Sequence, residues 1–280
     1  MLPLSPIPDS VDVVFHDCID TVDDDNLRTK LRGIKASIIE HDTDFVKAAK
    51  AARFFTLPTH DMVGGTVTAK EMAWVYDKRM VPANTPGRMY YNKIMALAKH
   101  RRCPLCGHGS VTTLDHYLPK SEFPGLAVSP KNLLPSCSDC NKRKLAAVPS
   151  CASQQTINPY YDRVDGEIWL HAKCEKQTPL VFKYFVVKPK LWPTMQERRV
   201  RHHFKAFNLA QMYAEQAALE FEDIKSNLID ILNKCGPNDV RSHLSEQADS
   251  RTKASKNSWR AAFYRAISAS NWFCTTGCKG

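Results

Sequence analysis

Four residues in one short basic segment carry chemistry that a metal-binding knuckle alone does not need: Asp115, His116, Asn132 and Asn141. All lie in LDHYLPKSEFPGLAVSPKNLLPSCSDCNKRK, residues 114–144. Asp115 offers a carboxylate oxygen and Asn141 an amide oxygen, both acceptable to Mg²⁺. His116 has an unperturbed pKa of about 6.5, which suits it to taking a proton from water. Each residue also has a plainer reading. Asp115 could cap the turn after its strand, and His116 could be a structural hydrogen-bonding histidine. Asn132, bracketed by Pro130 and Pro135, could equally cap a turn.

The cysteines tilt the balance toward chemistry. Cys103, Cys106, Cys137 and Cys140 form two C-x2-C pairs separated by thirty residues. Such pairs suit the tetrahedral thiolate coordination of zinc. Iron fits the same four ligands, but nothing else in the chain suggests electron transfer, so zinc is expected. Four thiolates fill its coordination sphere, so this metal is structural. It pins the two ends of the loop and brings a strand end carrying Asp115 and His116 toward a helix start carrying Asn141. The other six cysteines (Cys18, Cys151, Cys174, Cys235, Cys274, Cys278) form no second paired set and read as core or terminal thiols.

In CPLC at 103–106, LDHYLPKS at 114–121 and NLLPSCSDCNKRK at 132–144 the chain resembles the HNH endonucleases, the ββα-metal nucleases, in their four-cysteine zinc form. The motif spans residues 103–144, forty-two of 280. The resemblance implies catalytic roles for His116, Asp115, Asn132 and Asn141. Asp115 matches the first metal-ligand position and His116 the histidine that activates water. Asn132 matches the central asparagine, which orders the loop and helps to hold the histidine. Asn141 matches the last position, where many members carry histidine; the amide keeps an oxygen ligand. The implied cofactors are a structural Zn²⁺ and a catalytic Mg²⁺ or Mn²⁺, the latter held by Asp115 and Asn141. The implied reaction is hydrolysis of phosphodiester bonds in DNA to 5′-phosphate and 3′-hydroxyl ends. The flanking regions are more weakly similar to HNH nucleases of bacterial phage-defence systems, which implies a role in defence and a partner such as an ATPase. Two other readings remain open on the sequence: a non-catalytic zinc-dependent nucleic-acid-binding module, and a nuclease subunit active only beside its partner.

Basic residues surround the motif. Lys142, Arg143 and Lys144 continue from Asn141, and Lys120 sits in the loop. Residues 88–102 hold five Lys or Arg and no acid, and residues 183–205 hold seven against one Glu, including Arg198, Arg199 and Arg201. One such run is ordinarily a solvated face. Several around a phosphate-cutting motif predict a groove that holds the DNA backbone. The net charge of +10 agrees with a polyanionic partner.

These residues require elements to position them. The fold expected is α+β: a zinc-pinned ββα-metal HNH module embedded in mostly helical flanking regions, with a β-hairpin after it. The expected parts are an irregular N-terminal segment (1–25), a helical region (26–102), the module (103–146) and a C-terminal hairpin plus helical region (147–280). Asp42 is expected to open a helix, Thr68 and Glu71 to form a capping box, and the polar stretch 236–257 to be partly mobile. GEIWLHA and LVFKYFVV carry the strand patterns of the hairpin. No apolar run reaches the ~20 residues that span a bilayer. The N-terminus lacks the pattern of a signal peptide, so the expected location is the cytoplasm.

Overall fold

The computed structural model describes every residue except Leu145, which falls inside the expected module. The chain forms two compact units, residues 2–162 and residues 163–280.

The first unit opens with three helices: α1 (Val11–Ile19), α2 (Asp25–Gly33) and α3 (Lys35–Lys50). The first corrects the expectation of an irregular segment. Val11, Val14, Phe15 and Cys18 recur at helical spacing and are buried, while the Ser10 side chain caps the N-terminus by accepting from Val13 N–H. Asp42 does not open a helix either. It lies in the middle of α3 and is buried.

A two-residue strand pair follows, β1 (Met62–Val63) and β2 (Val67–Thr68), and then α4 (Ala69–Val75). The expected capping box closes α4: Thr68 Oγ1 accepts from Glu71 N–H, and Glu71 accepts from Thr68 N–H at 2.7 Å. Beyond Val75 the helix widens into one π turn, Tyr76–Met80, and α5 (Arg88–Ala96) leads toward the first cysteine pair.

The module supplies β3 (Thr113–His116), β4 (Leu133–Ser136) and α6 (Ser138–Lys144). β3 and β4 pair antiparallel, with Asp115 opposite Leu134 and His116 opposite Leu133. Leu114 and Leu133 join the same hydrophobic core as Val14, Phe15, Ile38 and Met72 from the helices. The hairpin is therefore anchored in a core larger than it could build alone.

In the second unit β5 (Leu170–Glu175) and β6 (Val181–Val186) form the expected antiparallel hairpin, with the first strand starting four residues later than GEIWLHA predicts and running on to Glu175. Five helices follow: α7 (Thr194–Ala206), α8 (Leu209–Cys235), α9 (Pro237–Ala254), α10 (Trp259–Ser268) and α11 (Asn271–Thr275). The polar stretch from 236 is helical rather than mobile. Pro237 suits its first turn, and Val240, Leu244 and Ala248 bury one narrow stripe. Among the described residues no helix is long and apolar enough to cross a membrane.

Candidate active site

The knuckle is shaped by its glycines. Cys103 N–H donates to Gly109 O at 2.8 Å, and Gly107 N–H donates to Cys103 O at 2.7 Å. Gly107 sits at φ +68°, a conformation that a side chain disfavours. A Cβ on Gly109 would fall 2.8 Å from Cys137 Sγ, so only glycine lets the knuckle close onto the second cysteine pair. Cys137 follows β4 directly, and its carbonyl accepts from Asn141 N–H at 3.1 Å in the first turn of α6. All four cysteines are buried and their Sγ atoms lie within 4.8 Å of one another. Cys106 and Cys137 are 3.9 Å apart. Zinc–sulfur bonds of about 2.3 Å place tetrahedral sulfurs about 3.8 Å apart, so the cluster fits a zinc ion.

At the end of β3, Asp115 is 5% exposed. Its Oδ1 lies 3.4 Å from Lys144 Nζ, and its buried Oδ2 has no hydrogen-bond partner among the described residues. Burial pushes its pKa up to about 6, against the opposing pull of Lys144. A buried carboxylate with one orphaned oxygen suits a hard cation. Its donor chemistry is therefore compatible with a divalent cation.

His116 is buried beneath the edge of Tyr76, their ring centroids 4.5 Å apart. Its Nε2 lies 2.8 Å from Ala127 O. A carbonyl only accepts, so Nε2 carries the proton and Nδ1 keeps the lone pair. Burial pushes the His116 pKa down to about 3, with the bond to Ala127 acting the other way and the charges of Lys120 and Lys144 adding to the depression.

Asn132 is fully buried and spans the loop. Its Oδ1 accepts from Leu118 N–H at 2.7 Å, and its Nδ2 donates to Leu118 O at 2.9 Å and Leu126 O at 3.3 Å. Those bonds fix the backbone on both sides of the histidine's carbonyl partner. Asn141 lies half-buried on α6, three residues before Lys144 and therefore on the same helix face.

The basic residues divide. Lys142 and Arg143 are exposed, but Lys144 points inward against Asp115 and donates to His116 O. Lys120 is bound to Asp77 at 2.5 Å and lies over the Tyr76 ring. In the second unit Arg198 and Arg201 are exposed, Arg201 paired with Glu197, whereas Arg199 is buried. Lys144 and Arg199 thus depart from the expected solvent-facing rows, because each falls on the helix face that packs. Sequence reasoning also missed Tyr76 and the Ala127 carbonyl. A backbone acceptor leaves no mark in residue types, and Tyr76 reads only as one apolar position of a helix.

Residues 102–146 match the family model for the HNH endonuclease. The chain is 31% identical over 182 residues to protein ea31 of Escherichia phage lambda, covering 62% of this chain and 60% of that protein. It is 28% identical over 95 residues to Septu protein PtuB of Bacillus thuringiensis, covering 32% of this chain and 36% of that one. The chain thus spans less than two thirds of the length of either relative. No solved structure matches. With the four-cysteine cluster, the β3–β4 hairpin and α6 in one place, residues 102–146 are an HNH-like nuclease domain carrying a candidate structural zinc site.

Proposed function

We propose that this domain is a metal-dependent endonuclease centre that hydrolyses phosphodiester bonds in DNA. The observation that carries the reading is the pairing of an orphaned, buried Asp115 oxygen with a neighbouring His116 whose proton is fixed on Nε2. Asp115 and Asn141 are the residues that would hold Mg²⁺ or Mn²⁺. Bound there, the ion would neutralise charge on the scissile phosphate and on the departing 3′ oxygen.

His116 takes the proton from the attacking water at Nδ1 and holds its own proton on Nε2 against Ala127. Its depressed pKa would make it a weak base before substrate arrives. The anionic phosphate of the substrate favours the imidazolium and brings that pKa back toward the working range. Asn132 orients the loop and Tyr76 excludes bulk water from one face of the ring. Lys142 and Arg143 contact backbone phosphates beside this centre; in the second unit Arg198 and Arg201 are separate candidates for phosphate contact.

We place the activity in phage defence, in the cytoplasm, with an ATPase as the expected partner; the likeness to Septu protein PtuB over 95 residues supports the defence reading. A plasmid incubated with Mg²⁺, Mn²⁺ or EDTA tests the chemistry. Cutting with the metals, none with EDTA and 5′-phosphate ends are expected. Metal-independent DNA binding without cleavage would instead make the domain a zinc-dependent binding module.

A further inference from the structure

Asp42 is 4% exposed in the middle of α3. A buried carboxylate is costly unless it is bonded, and a mid-helix position offers no free backbone donors. Its partners come instead from the loop that joins β3 to β4. Ser129 Oγ donates to Oδ1 at 2.6 Å and Lys131 Nζ donates to Oδ2 at 2.7 Å. The loop lies directly on the helix there: a Cβ at Gly125 would fall 1.8 Å from His41 Nδ1. Beside it, His60 N–H donates to Glu122 O at 2.9 Å. Within the loop, Ser129 N–H donates to Leu126 O and Asn132 N–H donates to Ser129 O. Ala127, whose carbonyl faces His116 Nε2, therefore sits between the point where the loop touches α3 at Gly125 and the point where Asp42 grips it at Ser129 and Lys131.

We propose that Asp42 is a positioning residue of the candidate active centre: by holding Ser129 and Lys131 it aims the Ala127 carbonyl at His116 Nε2 and so keeps the lone pair on Nδ1. The proposal rests on the nuclease reading for its consequence in catalysis, but its structural content is independent of that reading. Asp42 lies outside the HNH-like segment, so the helical region supplies part of the apparatus that orients the general base. If the carbonyl drifts, the imidazole can place its proton on either nitrogen, and the fraction with a basic Nδ1 falls.

The test uses the full chain with histidines labelled with ¹⁵N, the His116 signal being identified by its absence in His116→Gln. Wild-type protein should show a single tautomer with the proton on Nε2. Asp42→Ala should show both tautomers while helix content and zinc stoichiometry stay unchanged, and Asp42→Asn, which keeps one acceptor oxygen for Ser129, should restore part of the Nε2–H form. Cleavage by Asp42→Ala should fall on the order of 10–100-fold in kcat with KM little changed, the scale expected for a misplaced catalytic group. Ser129→Ala and Lys131→Met should move the tautomer in the same direction by smaller amounts. They also serve as the test if Asp42→Ala does not fold. A single Nε2–H tautomer in a folded Asp42→Ala protein, or in both loop variants where Asp42→Ala does not fold, overturns the proposal. If wild-type protein cuts no DNA, the nuclease reading fails, yet the tautomer measurement still decides the role of Asp42.

Discussion

In the proposed mechanism Asp115 and His116, neighbours in sequence, carry separable roles. His116 has one nitrogen committed to Ala127 O, so its loss removes a base without removing a main metal ligand. His116→Ala is expected to bind metal and DNA nearly as wild type and to lose cleavage by ~10²–10⁴-fold, measured as single-turnover rates at saturating metal. Asp115→Ala is expected to lose metal affinity as well, because it removes the carboxylate. Asn141→His should stay active, imidazole replacing the amide, with preference shifted from Mg²⁺ toward Mn²⁺. The Asp115 pKa, raised to about 6 by burial, sets a pH dependence. Above about 6 the group is a carboxylate, open to a cation. Below it the bound proton competes, so Mn²⁺ affinity followed by calorimetry should be flat at higher pH and weaken by about tenfold per unit below 6. Affinity independent of pH between 5 and 7 would mean that Asp115 is not the principal ligand.

At the scale of elements, the cysteine cluster ties the end of β4 and the start of α6 to the knuckle before β3. Cys137→Ala is expected to lose zinc by elemental analysis and to loosen the hairpin and α6 together, seen as faster amide exchange there. Full zinc stoichiometry in that variant would remove the cluster from consideration as the metal site. Gly109→Ala sets a subtler test. Its Cβ would meet Cys137 Sγ at 2.8 Å, and backbone must yield. A loss of about 1–3 kcal/mol in denaturant unfolding is expected, the ordinary cost of overpacking a closed site. The two cysteine pairs and the strand patterns of β5 and β6 were legible because both are short-range signals. The helicity of α1 was present as four apolar residues at helical spacing, but the surrounding prolines and acids obscured it. In α9 the stripe is only Val240, Leu244 and Ala248, too narrow to stand out from eighteen polar-rich residues.

At the scale of the whole molecule, the net charge of +10 predicts salt-sensitive binding to DNA, but burial decides which cations take part. Replacing Arg198 and Arg201 together with Gln should weaken binding to unrelated sequences about equally and shallow the salt dependence by up to about two phosphate contacts, read by fluorescence anisotropy across a salt series. Arg199→Gln should act differently. Arg199 is buried and bonded within the protein, so its loss should lower thermal stability, by about 1–3 kcal/mol, and leave the salt slope unchanged. An unchanged affinity for the Arg198/Arg201 pair would make α7 a solvated face with no role in binding.

The sequence by itself determined the residues whose roles follow from type and local spacing. These are Cys103, Cys106, Cys137 and Cys140, which the structure gathers into one buried cluster; the Asp115–His116 pair and the two asparagines were legible as candidates, and their roles belong to the proposal. Each C-x2-C pair is a short local signal, so the metal site can be read without knowing the fold, even though thirty residues separate the pairs. Tertiary structure alone decided which way the remaining polar side chains face. Asp42, expected as a helix start, grips a loop nearly ninety residues away, since Lys131 lies eighty-nine positions along the chain. Lys144, expected at the DNA, is turned onto Asp115, and Arg199 is buried among its neighbours. The same charged residue is a solvated cation or an internal partner according to the helix face that packs. That choice is made by distant apolar contacts, which neither residue type nor local periodicity records.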